Sequence, residues 1–164
     1  MQNCTRYLIT ALISTASALA LAHGDETHAK AAGPVKMEQK AWGIAGDTKK
    51  ISRTITFTMT DAMRFDPSQI TVKQGETIKF IIKNGGGMMH EMVIGTPKDL
   101  DEHAALMVKF PNMEHDEPYM AHVGAGKTSE IVWTFNQAGS FDFACLIAGH
   151  YQAGMRGKIT VAAQ

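Results

Sequence analysis

The sequence lacks a surplus of charge of either sign, lacks any apolar run long enough to cross a bilayer, and has almost no cysteine. Its 16 basic and 16 acidic side chains balance, so charge gives no argument for nucleic acid or an anionic membrane as partner. The mostly apolar run Tyr7 to Leu19 is shorter than the ~20 residues that a membrane helix needs, and no later segment approaches that length. It reads instead as the h-region of an export signal over residues 1–22. Arg6 supplies the positive n-region, and Ala18–Leu19–Ala20 or Ala20–Leu21–Ala22 the small-x-small cleavage site. Cys4 has no lipobox before it and is expected to leave with the signal. The expected product is an exported, soluble monomer with no membrane span, carrying 15 basic against 16 acidic side chains once Arg6 is gone.

After cleavage the only cysteine is Cys145, so no internal disulfide can form in an oxidising compartment. A lone thiol of this kind is an inert core residue, half of an intermolecular bridge, or a reactive or metal-bound group. Its neighbours point to the metal. Phe141, Phe143 and Cys145 alternate as in a strand whose inward face ends in the thiol. A glycine-containing stretch without periodicity then reads as a loop, followed by a last strand from Arg156 to Ala162. Cys145, His150 and Met155 stand five residues apart along that loop. A thiolate, an imidazole and a thioether on one short loop can converge on one soft metal ion. Copper cycling between Cu(I) and Cu(II) suits this set: two His and one Cys, with a long, weak bond to Met. The loop lacks a second histidine, and His90 is the candidate.

Residues 23–50 are Ala-, Lys- and Gly-rich with little apolar periodicity, and read as a flexible leader. If cleavage follows Ala22, His23 becomes the N-terminus; its amine and ring nitrogen could hold one Cu(II), or it is an ordinary tail residue. Trp42–Gly43–Ile44 marks where the leader is expected to dock onto the domain, residues 51–164. Within that domain, short runs alternate at Ile51–Thr60, Gln69–Lys73, Thr77–Lys83, Met89–Ile94, Thr128–Phe135, Ser140–Cys145 and Gly157–Ala162, separated by turn signals. This pattern argues for an all-β fold, an antiparallel sandwich of about seven strands. One helix interrupts it: Thr96–Pro97–Lys98–Asp99 reads as an N-cap, a first-position proline and an acidic third residue before Leu100 to Phe110.

His90 after a glycine-rich turn, followed 55 residues later by the C-x4-H-x4-M loop of Cys145, His150 and Met155, resembles the cupredoxins, the type 1 copper proteins. The resemblance covers about Ile51 to Ala162. It is similar in plan to plastocyanin and azurin, with a ligand loop like that of rusticyanin and auracyanin. A closer resemblance is to the small periplasmic cupredoxins of bacterial copper tolerance. It rests on Trp42–Gly46, His90–Glu91, Met113–Asp116 and Phe143–His150. It implies a Greek-key β-sandwich, a periplasmic location, and one type 1 copper on His90, Cys145, His150 and Met155, with the His150 ring edge as the electron port. Glu91 departs from the pattern. Many cupredoxins have Asn directly after the first histidine, tying that strand to the cysteine loop, and a buried carboxylate there needs a partner.

Six of the 11 methionines fall between residues 88 and 122, interleaved with four histidines. His103, Met107, Met113, His115, Met120 and His122 could form extra, weaker copper sites, or the methionines could fill the core while the histidines face solvent. Three functions follow. One is a copper-binding protein serving copper tolerance, with a copper-transfer or redox partner; the second is a soluble electron carrier between respiratory partners. The third, a Cys–His hydrolase, needs a base and an oxyanion hole and leaves His90 and Met155 unexplained. The expectation is therefore not an enzyme.

Overall fold

The structure is a computed structural model that describes residues 37–111, 113 and 115–164. The expected signal segment, the expected leader up to residue 36 and His23 lie outside the described residues. Two five-stranded sheets pack face to face. The first runs in the order β1 (Ile44–Ala45), β8 (Thr128–Thr134), β5 (Thr77–Asn84), β2 (Arg53–Thr60), β3 (Arg64–Asp66). The second runs β4 (Gln69–Lys73), β10 (Arg156–Ala162), β9 (Gly139–Ala144), β6 (His90–Gly95), β7 (Met120–Val123). The strand period of two places Phe57, Met59, Ile78, Phe80, Ile82, Ile131 and Trp133 of one sheet against Met92, Ile94, Phe141, Phe143, Ile159 and Val161 of the other. Phe143 sits at the middle, edge-on to Phe57 and Phe65 with ring centroids 5.0 Å away in each case. Burying each such ring contributes about 1.5–3 kcal/mol.

The sandwich is not wholly antiparallel. β2 pairs with β5, and β4 with β10, in parallel. The chain leaves β2, turns through β3, crosses to the second sheet as β4, and returns to the first beside β2 in the original direction. A hairpin cannot make that connection, but a crossover between sheets can. The attachment of the leader is also earlier than the boundary at residue 51. Lys40 and Gly43 bridge, β1 pairs with β8, and Trp42 is buried with its carbonyl accepting a 2.9 Å hydrogen bond from Trp133 Nε1. Gly43 has φ 131°, and a Cβ there would lie 2.3 Å from the Thr134 carbonyl oxygen, so only glycine lets the segment approach this closely.

The helix α1 (Pro97–Lys109) begins where its signals place it, with Thr96 Oγ1 accepting from the Asp99 N–H at 3.2 Å. Leu100, Ala104 and Met107 pack onto the outer face of the second sheet, against Val93, Met120, Ala144 and Leu146. As a result β6 is buried on both faces along its whole length. Met92 and Ile94 belong to the inter-sheet core and Val93 to the core under the helix. Alternation along β6 therefore sends His90 and Glu91 to opposite faces of the sheet.

Candidate metal centre

Two structural features bring the predicted donors together at one end of the sandwich. The loop from Cys145 to Met155 is closed at its base, where the Cys145 N–H donates to the Met155 carbonyl at 3.0 Å and the Met155 N–H to the His150 carbonyl at 3.1 Å. Tyr151 on this loop donates to Asp101 Oδ1 of α1 at 2.6 Å, and Arg64 Nη1 donates to the Ala153 carbonyl at 3.2 Å, so both sides of the loop are braced. β6 lies beside β9 and carries His90 to the same end.

The distances are those of donors facing one point. His90 Nδ1 is 3.2 Å from His150 Nδ1, and Cys145 Sγ is 3.3 Å from His150 Nδ1. Two donors bound to one ion at about 2.0–2.3 Å lie roughly 3.1–3.8 Å apart, so three such atoms fit around a single metal. Cys145 and Met155 are both fully buried, in the same hydrophobic cluster. The Glu91 N–H donates to Cys145 Sγ at 3.4 Å. Burial pushes the Cys145 thiol up to about 12, so without a cation it stays protonated. His150 is shifted down, first by burial and then by the neighbouring His90, which favours the neutral, metal-binding imidazole. A buried thiol, two imidazole nitrogens and a buried thioether residue are a donor set that fits copper.

Asp61, in the turn after β2, was not singled out in the sequence, yet it holds His90. His90 Nε2–H donates to Asp61 Oδ1 at 3.0 Å, which leaves Nδ1, 3.2 Å from His150 Nδ1, with its lone pair free for a metal. The same carboxylate accepts from the N–H groups of Gly87 at 2.7 Å and Met88 at 3.3 Å. Hydrogen bonds from Gly87 and His90 keep its pKa below the usual carboxylate range. Asn84, buried beneath that turn, donates to the carbonyls of Met88 and Val123 at 2.7 and 2.8 Å. Glu91 does find partners. Leu146 N–H donates to its Oε1 at 2.7 Å, and its Oε2 lies 3.0 Å from His122 Nε2. That second contact is a charge pairing at ion-pair distance, without regular hydrogen-bond alignment.

The methionine and histidine belt divides. Met92, Met107 and Met120 are core residues, and Met88, Met89 and Met113 are exposed. Met107 and Met120 pack under α1, the core-filling alternative of the two readings. His103, His115 and His122 instead gather around Glu91, with ring centroids 4.6 Å apart for His103 and His115 and 5.7 Å for His115 and His122.

A two-sheet sandwich with a helix on one face and a Cys–His loop meeting a strand histidine at its end defines the cupredoxin class. The chain belongs to the plastocyanin/azurin family of copper-binding proteins, whose model matches residues 52–162. It is 44% identical over 153 residues to the copper-resistant cuproprotein CopI of Rubrivivax gelatinosus, covering 93% of this chain and 92% of that one. The copper-resistant cuproprotein CopI of Pseudomonas aeruginosa is 34% identical over 151 residues, 74% of this chain and 83% of that one. Among solved structures, the reduced auracyanin of Roseiflexus castenholzii superposes with a TM-score of 0.59 at 24% identity, covering 68% of this chain and 98% of that one. Auracyanin B gives 0.61 at 18%, over 73% and 96%. At these identities the likeness is one of fold.

Proposed function

We propose that this protein is a periplasmic type 1 copper protein serving copper resistance, with His90, Cys145, His150 and Met155 as the ligands. The convergence of His90 Nδ1, His150 Nδ1 and Cys145 Sγ within 3.2–3.3 Å contacts carries the ligand assignment. Copper bound there would supply a one-electron change between Cu(I) and Cu(II). The chain's own contribution is rigidity: Asp61 fixes the His90 tautomer, Glu91 ties β6 to the cysteine loop, and two strands plus α1 hold that loop in place. Little needs to move when the metal changes charge. The Cys145 thiol is fully buried and pushed up to about 12 by that burial, which suits a metal ligand better than a nucleophile open to substrate, and binding with electron transfer is the role that fits.

The similarity to two copper-resistant cuproproteins supports resistance over a pure carrier role. The visible spectrum of the oxidised, copper-loaded protein tests the site: an intense thiolate-to-copper band near ~600 nm, or a green variant of it, is expected and should vanish in Cys145→Ser. Its absence from the wild type refutes the ligand set. For the role, a deletion strain should grow poorly on added copper while respiring normally without it. The reverse pattern would make the protein a respiratory electron carrier.

A further inference from the structure

On the outer face of the second sheet, Glu91 and His122 are directly opposed residues of β6 and β7. Glu91 is fully buried there, and its Oε2 carries no regular hydrogen bond. One histidine is enough to neutralise a buried carboxylate, yet two more arrive from distant parts of the chain. His115 comes from the loop after α1 and His103 from α1 itself. The His115 ring is oriented by its Nδ1–H, which donates to the Met113 carbonyl at 3.1 Å. That leaves its Nε2 as an acceptor, and this atom is buried without a hydrogen-bond partner. The His115 Nε2 lone pair is thus left without a partner close to a buried carboxylate that His122 already faces at 3.0 Å, an arrangement that a cation shared by the three groups would satisfy.

We propose that Glu91, His115 and His122 form a second metal site, distinct from the Cys145 centre, that takes a divalent cation of borderline hardness, copper(II) in preference to zinc(II). One donor atom from each of the three lies within 4.8 Å of those of the others, so small side-chain rotations bring them onto one ion. Two imidazoles and a carboxylate suit Cu(II) or Zn(II); Cu(I) would call for the sulfur donors that this cluster lacks. Between the two divalent ions, the general order of stability places copper(II) higher. The His103 ring, 4.6 Å from His115, is placed to become a fourth donor or to brace a bound water. The Oε1–Leu146 hydrogen bond would hold the ligating carboxylate, as supporting contacts do at metal sites generally. Met107 and Met120 are packed in the core under α1, Met92 points into the inter-sheet core, and Met113, two residues before His115, is exposed.

The site stands independently of the Cys145 ligation, and the test keeps the two apart. Full-length protein carrying Cys145→Ser, which cannot form a thiolate centre, is dialysed against copper(II) and compared with Cys145→Ser/His115→Ala. His115 is the residue to remove because it lies in a loop and leaves the Glu91–His122 pair intact. The parent should bind about one more copper(II) per chain than the double variant, with an axial, nitrogen-split electron paramagnetic resonance signal that disappears with it. Any copper held by histidines elsewhere, including His90, His150 and the N-terminal segment, cancels in the difference. A parent and a double variant with equal copper content and superimposable spectra would overturn the proposal. Should the alanine variant fold poorly, Cys145→Ser/His115→Gln provides the same comparison, and competing zinc(II) should be displaced from the parent by copper(II). Zinc(II) that resists displacement would refute the preference for copper(II).

Discussion

The carboxylate of Glu91 accepts a 2.7 Å hydrogen bond from the backbone N–H of Leu146, the residue after Cys145. It thereby ties the strand of His90 to the loop of the other donors, while its second oxygen faces His122 on the opposite side of β6. Removing His122 would leave a buried carboxylate without its counter-group. His122→Ala should lower the stability of the metal-free protein by about 1–3 kcal/mol, below the range for fully buried pairs because His122 is partly exposed. Adding Glu91→Gln to that variant removes the stranded charge and should recover part of the loss. Urea unfolding of the two variants decides it: a double variant less stable than His122→Ala would contradict this account.

Asp61 is an exposed residue whose importance lies in orientation. Its Oδ1 fixes His90 and its Oδ2 holds the Gly87 N–H. Asp61→Ala should leave the sandwich folded yet weaken copper binding by about 10- to 100-fold, the usual cost of losing a supporting contact to a metal-bound histidine. Competition against a chelator measures it, with circular dichroism to show that the fold is kept. Affinity equal to the wild type would mean that His90 is oriented by its burial alone.

Gly43 offers a test of how the N-terminal segment is attached. Gly43→Ala would press a Cβ into the Thr134 carbonyl and the Trp133 indole. Overpacking of this kind costs typically 1–3 kcal/mol, roughly what a short two-residue strand and one tryptophan side chain can supply. Residues 37–46 should then become open to proteolysis while the sandwich beyond residue 51 survives. Unchanged protection of Trp42 would show that the pocket yields instead.

What could be read in the sequence, and what could not, follows from distance along the chain. Cys145, His150 and Met155 were legible because one loop carries all three, and the long strands because alternation repeats within them. β1 and β3, of two and three residues, are too short to show a period. Asp61 sits 29 residues before His90 and looks like any turn aspartate. Methionine is ambiguous by nature, since a thioether fills a core as readily as it binds metal. Only the position of α1 over the second sheet decided that Met107 and Met120 are core. Glu91 was visible as a departure from the usual asparagine, but its partner could be identified only once β7 was placed beside β6.

His122 gives the metal-free protein a pH signature. Its contact with Glu91, and the charges of Glu91 and Asp116, raise its pKa above the ordinary 6.5, against the opposing effect of burial. The folded state thus holds the proton more tightly than the unfolded one. The stability this contributes is complete below about 6.5 and is lost as pH rises through the elevated folded value. His103, shifted down by burial and by His115 and His122, contributes in the opposite sense, as does His150. The His122 contribution is therefore read as a difference. In chelator, the stability gap between wild type and His122→Asn should be widest below about pH 6.5 and narrow above it. A gap that is flat across that range would show that His122 is not shifted upward.

Loading the Cys145 centre should release a proton and stabilise the fold together. The thiol, pushed up to about 12 by burial, must give up its proton to become a ligand. Near neutral pH, binding therefore competes with one proton, and affinity should rise about tenfold per pH unit where the histidines are already neutral. Because the folded chain alone gathers these donors, a ligand at a thousandfold excess over its Kd adds about 4 kcal/mol. In a domain of this size that moves Tm upward by on the order of 10 °C. Calorimetric scans with copper and with chelator should show that rise in the wild type. Cys145→Ser should keep only a smaller rise, and adding His115→Ala should lower it further by the share of the Glu91–His115–His122 cluster. A full-sized rise in Cys145→Ser would mean that the metal is held without the thiolate, and the ligand assignment would fall with it.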